Sequence, residues 1–247
     1  MTKSLQAKIK KRFAGSPGSK PFELDIKFVA ADGITVLFGP SGAGKTLTLE
    51  ALAGFSKPDA GQIRFGDRTL FDSQTRADVP ARDRRCGYLF QQDALFPHMT
   101  VRENVAFGAK ADERRVDELL AEFRIEGLAA RRPSEISGGE RQRCAIARTL
   151  AGNPEFLLMD EPAQGLDIVL RRELHDVFRR IRDQFGLPML LITHDISEAL
   201  SLGDSLMLYS QGKIVQHGPA RQTFENPNSD AAARLMGVES VPTGDDD

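Results

Sequence analysis

The stretch GPSGAGKT, residues 39 to 46, constrains this chain more than any other, because of what stands on either side of it. Ahead of it runs ITVLF (34 to 38), a continuous apolar segment suited to a strand buried on both faces. Behind it, KTLTLEALAG has helical character. A strand that turns through small residues into a helix belongs to a layered α/β fold. Gly39, Gly44, Lys45 and Thr46 also stand where a phosphate-binding loop needs them. The small residues of Gly39, Pro40, Ser41, Gly42, Ala43 and Gly44 let backbone N–H groups turn inward onto phosphate oxygens, and the helix start adds partial positive charge. Lys45 can reach the β- and γ-phosphates, and the Thr46 hydroxyl can ligate Mg²⁺. Thr48 is grouped with them as a nucleotide contact. The expected ligands are ATP and Mg²⁺.

The remainder fills in such a fold. LQAKIKKRF, a turn at 15 to 21 and FELDIKF read as antiparallel strands with period-two alternation. GQIRFGDRTLF reads as a hairpin turning near Gly66 and Asp67, and CGYLF (86 to 90) as a second buried strand. From about Val101 to Leu150 the spacing of charged and apolar residues is helical. Strand patterns return at FLLMD (156 to 160), PMLLIT (188 to 193) and SLMLYS (205 to 210), with helical stretches at about 168 to 185 and 195 to 202 between them. The expectation is an α/β P-loop NTPase over 1–238, with a mostly parallel sheet core and an N-terminal antiparallel β subdomain. An all-helical subdomain is inserted at about 95–150, and residues 239–247 form a disordered tail.

Composition narrows the function. A net charge of −2 gives no electrostatic case for nucleic acid, and Arg82, Arg84 and Arg85 read as part of a solvated, charge-mixed face. Cys86 and Cys144 lack metal-ligand spacing and read as reduced, buried packing residues. No apolar run approaches bilayer length, so attachment to a membrane would come through another protein.

Three further segments carry chemistry. FLLMDEP ends an apolar strand in carboxylates, which delivers Asp160 to hold Mg²⁺ and Glu161 to polarise an attacking water. ISGGE offers Ser137 and Glu140 as a capping box at a helix start, but a cap leaves Gly138 and Gly139 unexplained. His194 in THD, taken alone, reads as a structural histidine at a strand end.

Taken in order, the phosphate loop, FQQDALFPHMTV, ISGGE, MDEP and THD resemble the motifs of the nucleotide-binding subunit of an ABC transporter, over essentially the whole chain. The resemblance implies that Gln91 is the Q-loop glutamine and a metal contact, and that His194 is the switch histidine acting with Glu161, Lys45 and Gln91 in hydrolysis. It implies that a second copy packs head to tail, so that Ser137, Gly138 and Gly139 of one chain meet the γ-phosphate held by the other. Asp167 belongs to the D-loop, where Gln164 replaces the family's usual serine. Phe13 is the first candidate to stack on adenine, with Phe22 second. The other implied partners are integral membrane permease subunits and, indirectly, a periplasmic or extracellular solute-binding protein, with no nucleic acid. The location implied is the cytoplasmic face of the cell membrane. ALFPHMTVRENVAFG is similar to the importer branch, and the run GITVLFGPSGAGKT points to molybdate or a similar oxyanion. The alternatives are another solute such as sulfate, or a soluble cofactor-assembly ATPase. Many such subunits carry a further C-terminal β domain, which would begin after RLMGVESV.

Overall fold

A computed structural model describes residues 4–14, 21–90, 94–107 and 113–237. Gln91, the tail at 239–247 and all of the expected 15 to 21 turn except Pro21 lie outside the described residues. Along the chain run β1 (Leu5–Phe13), β2 (Phe22–Ala30), β3 (Gly33–Phe38), α1 (Lys45–Ala53), β4 (Ala60–Phe65), β5 (Arg68–Asp72) and β6 (Ala77–Asp78). Then come β7 (Cys86–Leu89), α2 (Val101–Ala106), α3 (Glu113–Glu122), α4 (Gly138–Ala151), β8 (Phe156–Asp160) and α5 (Ile168–Phe185). Last are β9 (Pro188–Ile192), α6 (Ile196–Leu202), β10 (Ser205–Ser210), β11 (Lys213–Pro219), α7 (Ala220–Glu225) and α8 (Asp230–Met236). They form two compact units, Met1–Arg84 with Arg182–Asp247, and Arg85–Ile181.

The first unit holds an antiparallel sheet in the order β2-β1-β4-β5-β6. Its alternation is the expected one: Leu5, Ala7 and Ile9 face inward while Gln6, Lys8 and Lys10 face out. β1 and β2 pair from Leu5↔Ala30 to Phe13↔Phe22, and the β4–β5 hairpin closes at Phe65↔Arg68 around Gly66 and Asp67. The same unit contains β3, which runs parallel to β10 on one side and to β9 on the other, with β11 antiparallel to β10. Ile34 to Leu37 and Met189 to Ile192 are buried throughout. That is why both strands read as unbroken apolar runs instead of alternating ones.

Arg84 departs from its expected place on a solvated face, being 1% exposed. Its guanidinium donates to the carbonyls of Ala51 (2.8 Å), Leu52 (2.9 Å) and Val79 (2.7 Å), and pairs with Asp78 at 3.3 Å. It thereby satisfies carbonyls at the end of α1, where a cation also complements the helix dipole. Arg84→Met is expected to lower folding stability by about 2–3 kcal/mol, since charge-assisted bonds to buried carbonyls are lost. Arg82→Met, at a side chain 85% exposed, should leave the denaturant midpoint nearly unmoved.

In the second unit β7 and β8 pair in parallel, from Cys86↔Phe156 to Leu89↔Met159. β8 is buried from Phe156 to Met159, but β7 buries only Gly87 and Leu89. CGYLF is therefore half-buried instead of buried on both faces: α4 packs on it, Phe90 is exposed, and the Cys86 thiol is partly accessible while Cys144 is buried. Among the described residues between 95 and 150 the regular elements are all helical. α3 turns Val116, Leu119 and Leu120 inward, the spacing that betrayed it in sequence. No helix among the described residues is long and apolar enough to cross a membrane.

Candidate nucleotide site

The phosphate loop belongs to the first unit. α1 starts directly behind it with Gly44 at φ +102° and no side-chain cap, so its first-turn N–H groups keep their capacity for an anion. Lys45 is 7% exposed, and its ammonium donates to the carbonyls of Gly39 (2.7 Å) and Pro40 (2.9 Å), tying the helix start to the beginning of the loop. Pro40, Ser41, Gly42 and Thr46 are exposed, whereas Ala43 and Gly44 are buried. Thr48 lies behind the loop. It is fully buried, its hydroxyl donates to the Gly44 carbonyl (2.9 Å) and accepts from Tyr209 (3.3 Å), so it props the loop from beneath.

Tyr209 and Gly212 are supports that sequence reasoning missed. A Cβ at Gly39 would lie 2.3 Å from the Tyr209 carbonyl oxygen, so β10 runs hard against the loop. Gly212, in the turn between β10 and β11, donates to the Ala43 carbonyl (3.1 Å) and accepts from the Asp25 N–H (2.8 Å). Burial pushes the Tyr209 phenol well above its ordinary range, partly offset by its bond to Thr48, so it remains a neutral donor at physiological pH. The SQGK turn was the one available signal, marking Gly212 as a turn glycine but not what the turn touches. Phe22 lies against Gly44, within 3.2 Å of a Cβ built there, while Phe13 is its cross-strand neighbour at 6.2 Å between ring centroids.

His194, exposed, follows β9 in the same unit and stands between two anchored residues. The buried Thr193 donates to the Glu198 carboxylate and accepts from the Asp195 N–H (3.0 Å). Asp195 caps α6 by accepting from Ser197 (2.8 Å) and Glu198 (3.2 Å) N–H groups.

The carboxylates belong to the second unit. β8 runs from a fully buried Met159 to a half-buried Asp160, which the Tyr88 hydroxyl approaches at 3.5 Å. Glu161 holds φ +48°, a region that L residues adopt at a cost and that clusters at functional sites. Gln142 on α4, another residue missed, donates to the Pro162 carbonyl and so ties α4 to the carboxylate turn. Asp167 caps α5, accepting from Val169 and Leu170 N–H groups at 2.9 Å each, and Gln164 is exposed. Among the described residues no three or more His, Cys, Asp or Glu side chains could hold a metal together. The Thr46 hydroxyl in the first unit and the Asp160 carboxylate in the second are each a hard oxygen donor of the kind that Mg²⁺ takes.

The helix start at Ser137 answers the puzzle of the paired glycines in halves. The capping box is present: the Ser137 N–H and hydroxyl both donate to Glu140 Oε2 (2.7 and 2.9 Å), and the Glu140 N–H donates back to Ser137 Oγ (3.3 Å). A Cβ at Gly139 would come within 2.6 Å of Leu170 Cδ2, so the Leu170 side chain packs directly over that glycine and would have to shift for a larger residue. A Cβ at Gly138 would meet nothing closer than the Arg141 guanidinium at 3.6 Å, an ordinary contact. Ser137→Ala should cost about 1 kcal/mol of stability through the lost cap. The Ser137 N–H and hydroxyl hold the Glu140 carboxyl below its usual range. A depressed folded pKa means that this part of the cap is fully present above the unfolded carboxyl pKa and fades as pH falls through the folded one. Acid denaturation of Ser137→Ala should therefore converge on that of the parent.

Known proteins bear on this geometry. A family model described as ABC transporter matches residues 25–164. The chain is 43% identical over 220 residues to the sulfate/thiosulfate import ATP-binding protein CysA 2 of Agrobacterium fabrum, covering 85% of this chain and 63% of that protein. It is 43% identical over 210 residues to the molybdenum import ATP-binding protein ModC of Rhodospirillum rubrum, covering 83% and 57%. With the sulfate/thiosulfate import ATP-binding protein CysA of Caulobacter vibrioides it shares 41% identity over 241 residues, covering 93% and 68%. The chain thus spans about three fifths of the length of the first two relatives. Among solved structures it resembles a dimeric ATP-binding cassette in a post-hydrolysis state bound to ADP and Pi. The TM-score is 0.74 at 26% identity, covering 88% of this chain and 99% of that one.

Proposed function

The chain belongs to the ABC transporter family, and we propose that it is the ATP-hydrolysing subunit of a membrane importer for an oxyanion such as molybdate or sulfate. The observation that carries the reading is its match, over most of its length, to import ATP-binding proteins of both solute classes. Neither solute is favoured by these relatives. The first-turn N–H groups of α1 and the Lys45 ammonium supply the charge that a β,γ-phosphate needs. Thr46 and Asp160 would hold Mg²⁺, which shields the phosphate oxygens when bound. Glu161 takes the proton of the attacking water, and His194, steadied by Thr193 and Asp195, assists at the γ-phosphate.

Two copies act head to tail in this reading. Ser137 offers a hydroxyl and a helix start, and the open Gly138 lets the partner's nucleotide approach the backbone. Permease subunits would receive the force of closure, which places the chain on the cytoplasmic face of the membrane.

The test is reconstitution. The chain is purified with the permease that co-elutes from detergent-solubilised native membranes, and the complex is placed in proteoliposomes with its solute-binding protein. ATP-dependent uptake of molybdate or sulfate, absent with Lys45→Ala, is the expected result. Co-elution with soluble proteins alone, where other membrane complexes survive, would move the chain to a soluble ATPase role.

A further inference from the structure

β10 buries Leu206, Met207, Leu208 and Tyr209 completely, and only the last of these side chains carries a hydroxyl. A hydroxyl taken out of water needs a partner. The Tyr209 phenol finds one in the equally buried Thr48, donating to its Oγ1 at 3.3 Å. Stability alone does not explain this pair, because Phe and Val would fill the same space without desolvating two hydroxyls. What the pair adds is direction. Thr48 Oγ1 donates in turn to the Gly44 carbonyl at 2.9 Å, and that oxygen also accepts from the Thr48 N–H at 3.0 Å. The Gly44 carbonyl shares a peptide plane with the N–H of Lys45, the first residue of α1. In a trans plane the N–H points opposite to the carbonyl, hence away from Thr48. Donors on the carbonyl oxygen polarise the amide and leave its N–H more positive. The preceding plane is held in the same way, since the Gly212 N–H donates to the Ala43 carbonyl at 3.1 Å. One hairpin, β10 with β11, thus fixes two consecutive planes where the loop enters α1.

We infer that Tyr209 and Thr48 are positioning residues for phosphate, a relay of hydrogen bonds through the Gly44 carbonyl that orients and polarises the first N–H of α1 toward a nucleotide. The inference rests on the reading of this loop as a phosphate site. It adds a determinant of affinity that comes from β10 and acts through the backbone. Because burial keeps the Tyr209 phenol protonated, the relay runs in one direction across the physiological pH range.

The experiment titrates MgADP, which is not turned over, into the full chain by calorimetry and reads stability separately from urea midpoints. Tyr209→Phe and Thr48→Val should each weaken binding by about three- to tenfold, the worth of one hydrogen bond. Thr48→Ser keeps the hydroxyl and should bind more tightly than Thr48→Val. Thr48→Val also strands the buried phenol, so its urea midpoint should fall. The double variant Tyr209→Phe/Thr48→Val separates positioning from packing. It leaves no hydroxyl stranded, so its midpoint should return toward the parent while its affinity stays as low as that of Thr48→Val. Lys45→Ala should weaken MgADP binding by about one to two orders of magnitude, which ties the titration to the phosphate loop. If Lys45→Ala weakens binding but the Tyr209 and Thr48 variants bind like the parent, the relay is overturned and the phosphate site stands. Affinity that recovers together with stability in the double variant would have the same meaning. A parent that does not bind MgADP, or a Lys45→Ala variant that binds like the parent, would overturn the phosphate-loop reading and the relay with it.

Discussion

Glu161→Gln is expected to lower steady-state ATP hydrolysis by about two to four orders of magnitude, while nucleotide binding persists. The substitution keeps the length of the side chain and removes its ability to accept a proton from water. The substitution leaves Lys45 and the α1 N–H groups chemically unchanged. The backbone supplies a second, independent arm. At φ +48° Glu161 sits in a conformation that glycine occupies freely. Glu161→Gly should therefore raise folding stability by about 1 kcal/mol while abolishing turnover. Opposite signs on stability and activity would mark the strain as serving the reaction. Phosphate release by reconstituted complexes and chemical denaturation of the isolated chain read the two arms. Hydrolysis that survives Glu161→Gln would remove the proton-accepting role.

Much of this was legible in sequence because it is written in local periods. β3 and β9 announce themselves as unbroken apolar runs, and β1 and β2 as alternations, since strand burial acts on consecutive residues. The capping box of Ser137 and Glu140 could be read from a three-residue spacing because it spans a single helical turn. What stayed hidden is fixed by partners far along the chain. Arg84 looks like its charged neighbours until the end of α1, about thirty residues earlier, arrives to receive its guanidinium. Thr48 follows the loop in sequence, but only the fold shows that Tyr209, more than a hundred and fifty residues on, donates to its hydroxyl. Gln142 is one polar residue among several on α4, and its bond to the Pro162 carbonyl depends on how α4 meets the turn after β8. The two glycines of ISGGE divide along the same line, one packed under the Leu170 side chain and the other with no close neighbour.

The glycines of the phosphate loop are likewise unequal, and the difference is measurable. Gly39→Ala is expected to cost about 3 kcal/mol of folding stability and to weaken nucleotide binding at least tenfold, by forcing an overpacked contact. Its Cβ would stand 2.3 Å from the Tyr209 carbonyl oxygen and 3.1 Å from the carbonyl carbon. Those atoms are backbone of β10, where Tyr209 pairs with Ile214 of β11 directly after the four residues that pair in parallel with β3, so the loop yields more readily than the strand. When it yields, the Gly39 carbonyl leaves the Lys45 ammonium and the lysine loses the tether that aims it. Gly42→Ala meets no atom within 4 Å and is penalised only by φ +76°, about 1 kcal/mol. Denaturant midpoints and equilibrium titration with a fluorescent ATP analogue compare the pair. A larger loss of nucleotide affinity at position 39 than at 42 is the expected order. It would mean that the loop is held in shape from below, by β10, as much as by the phosphate it embraces.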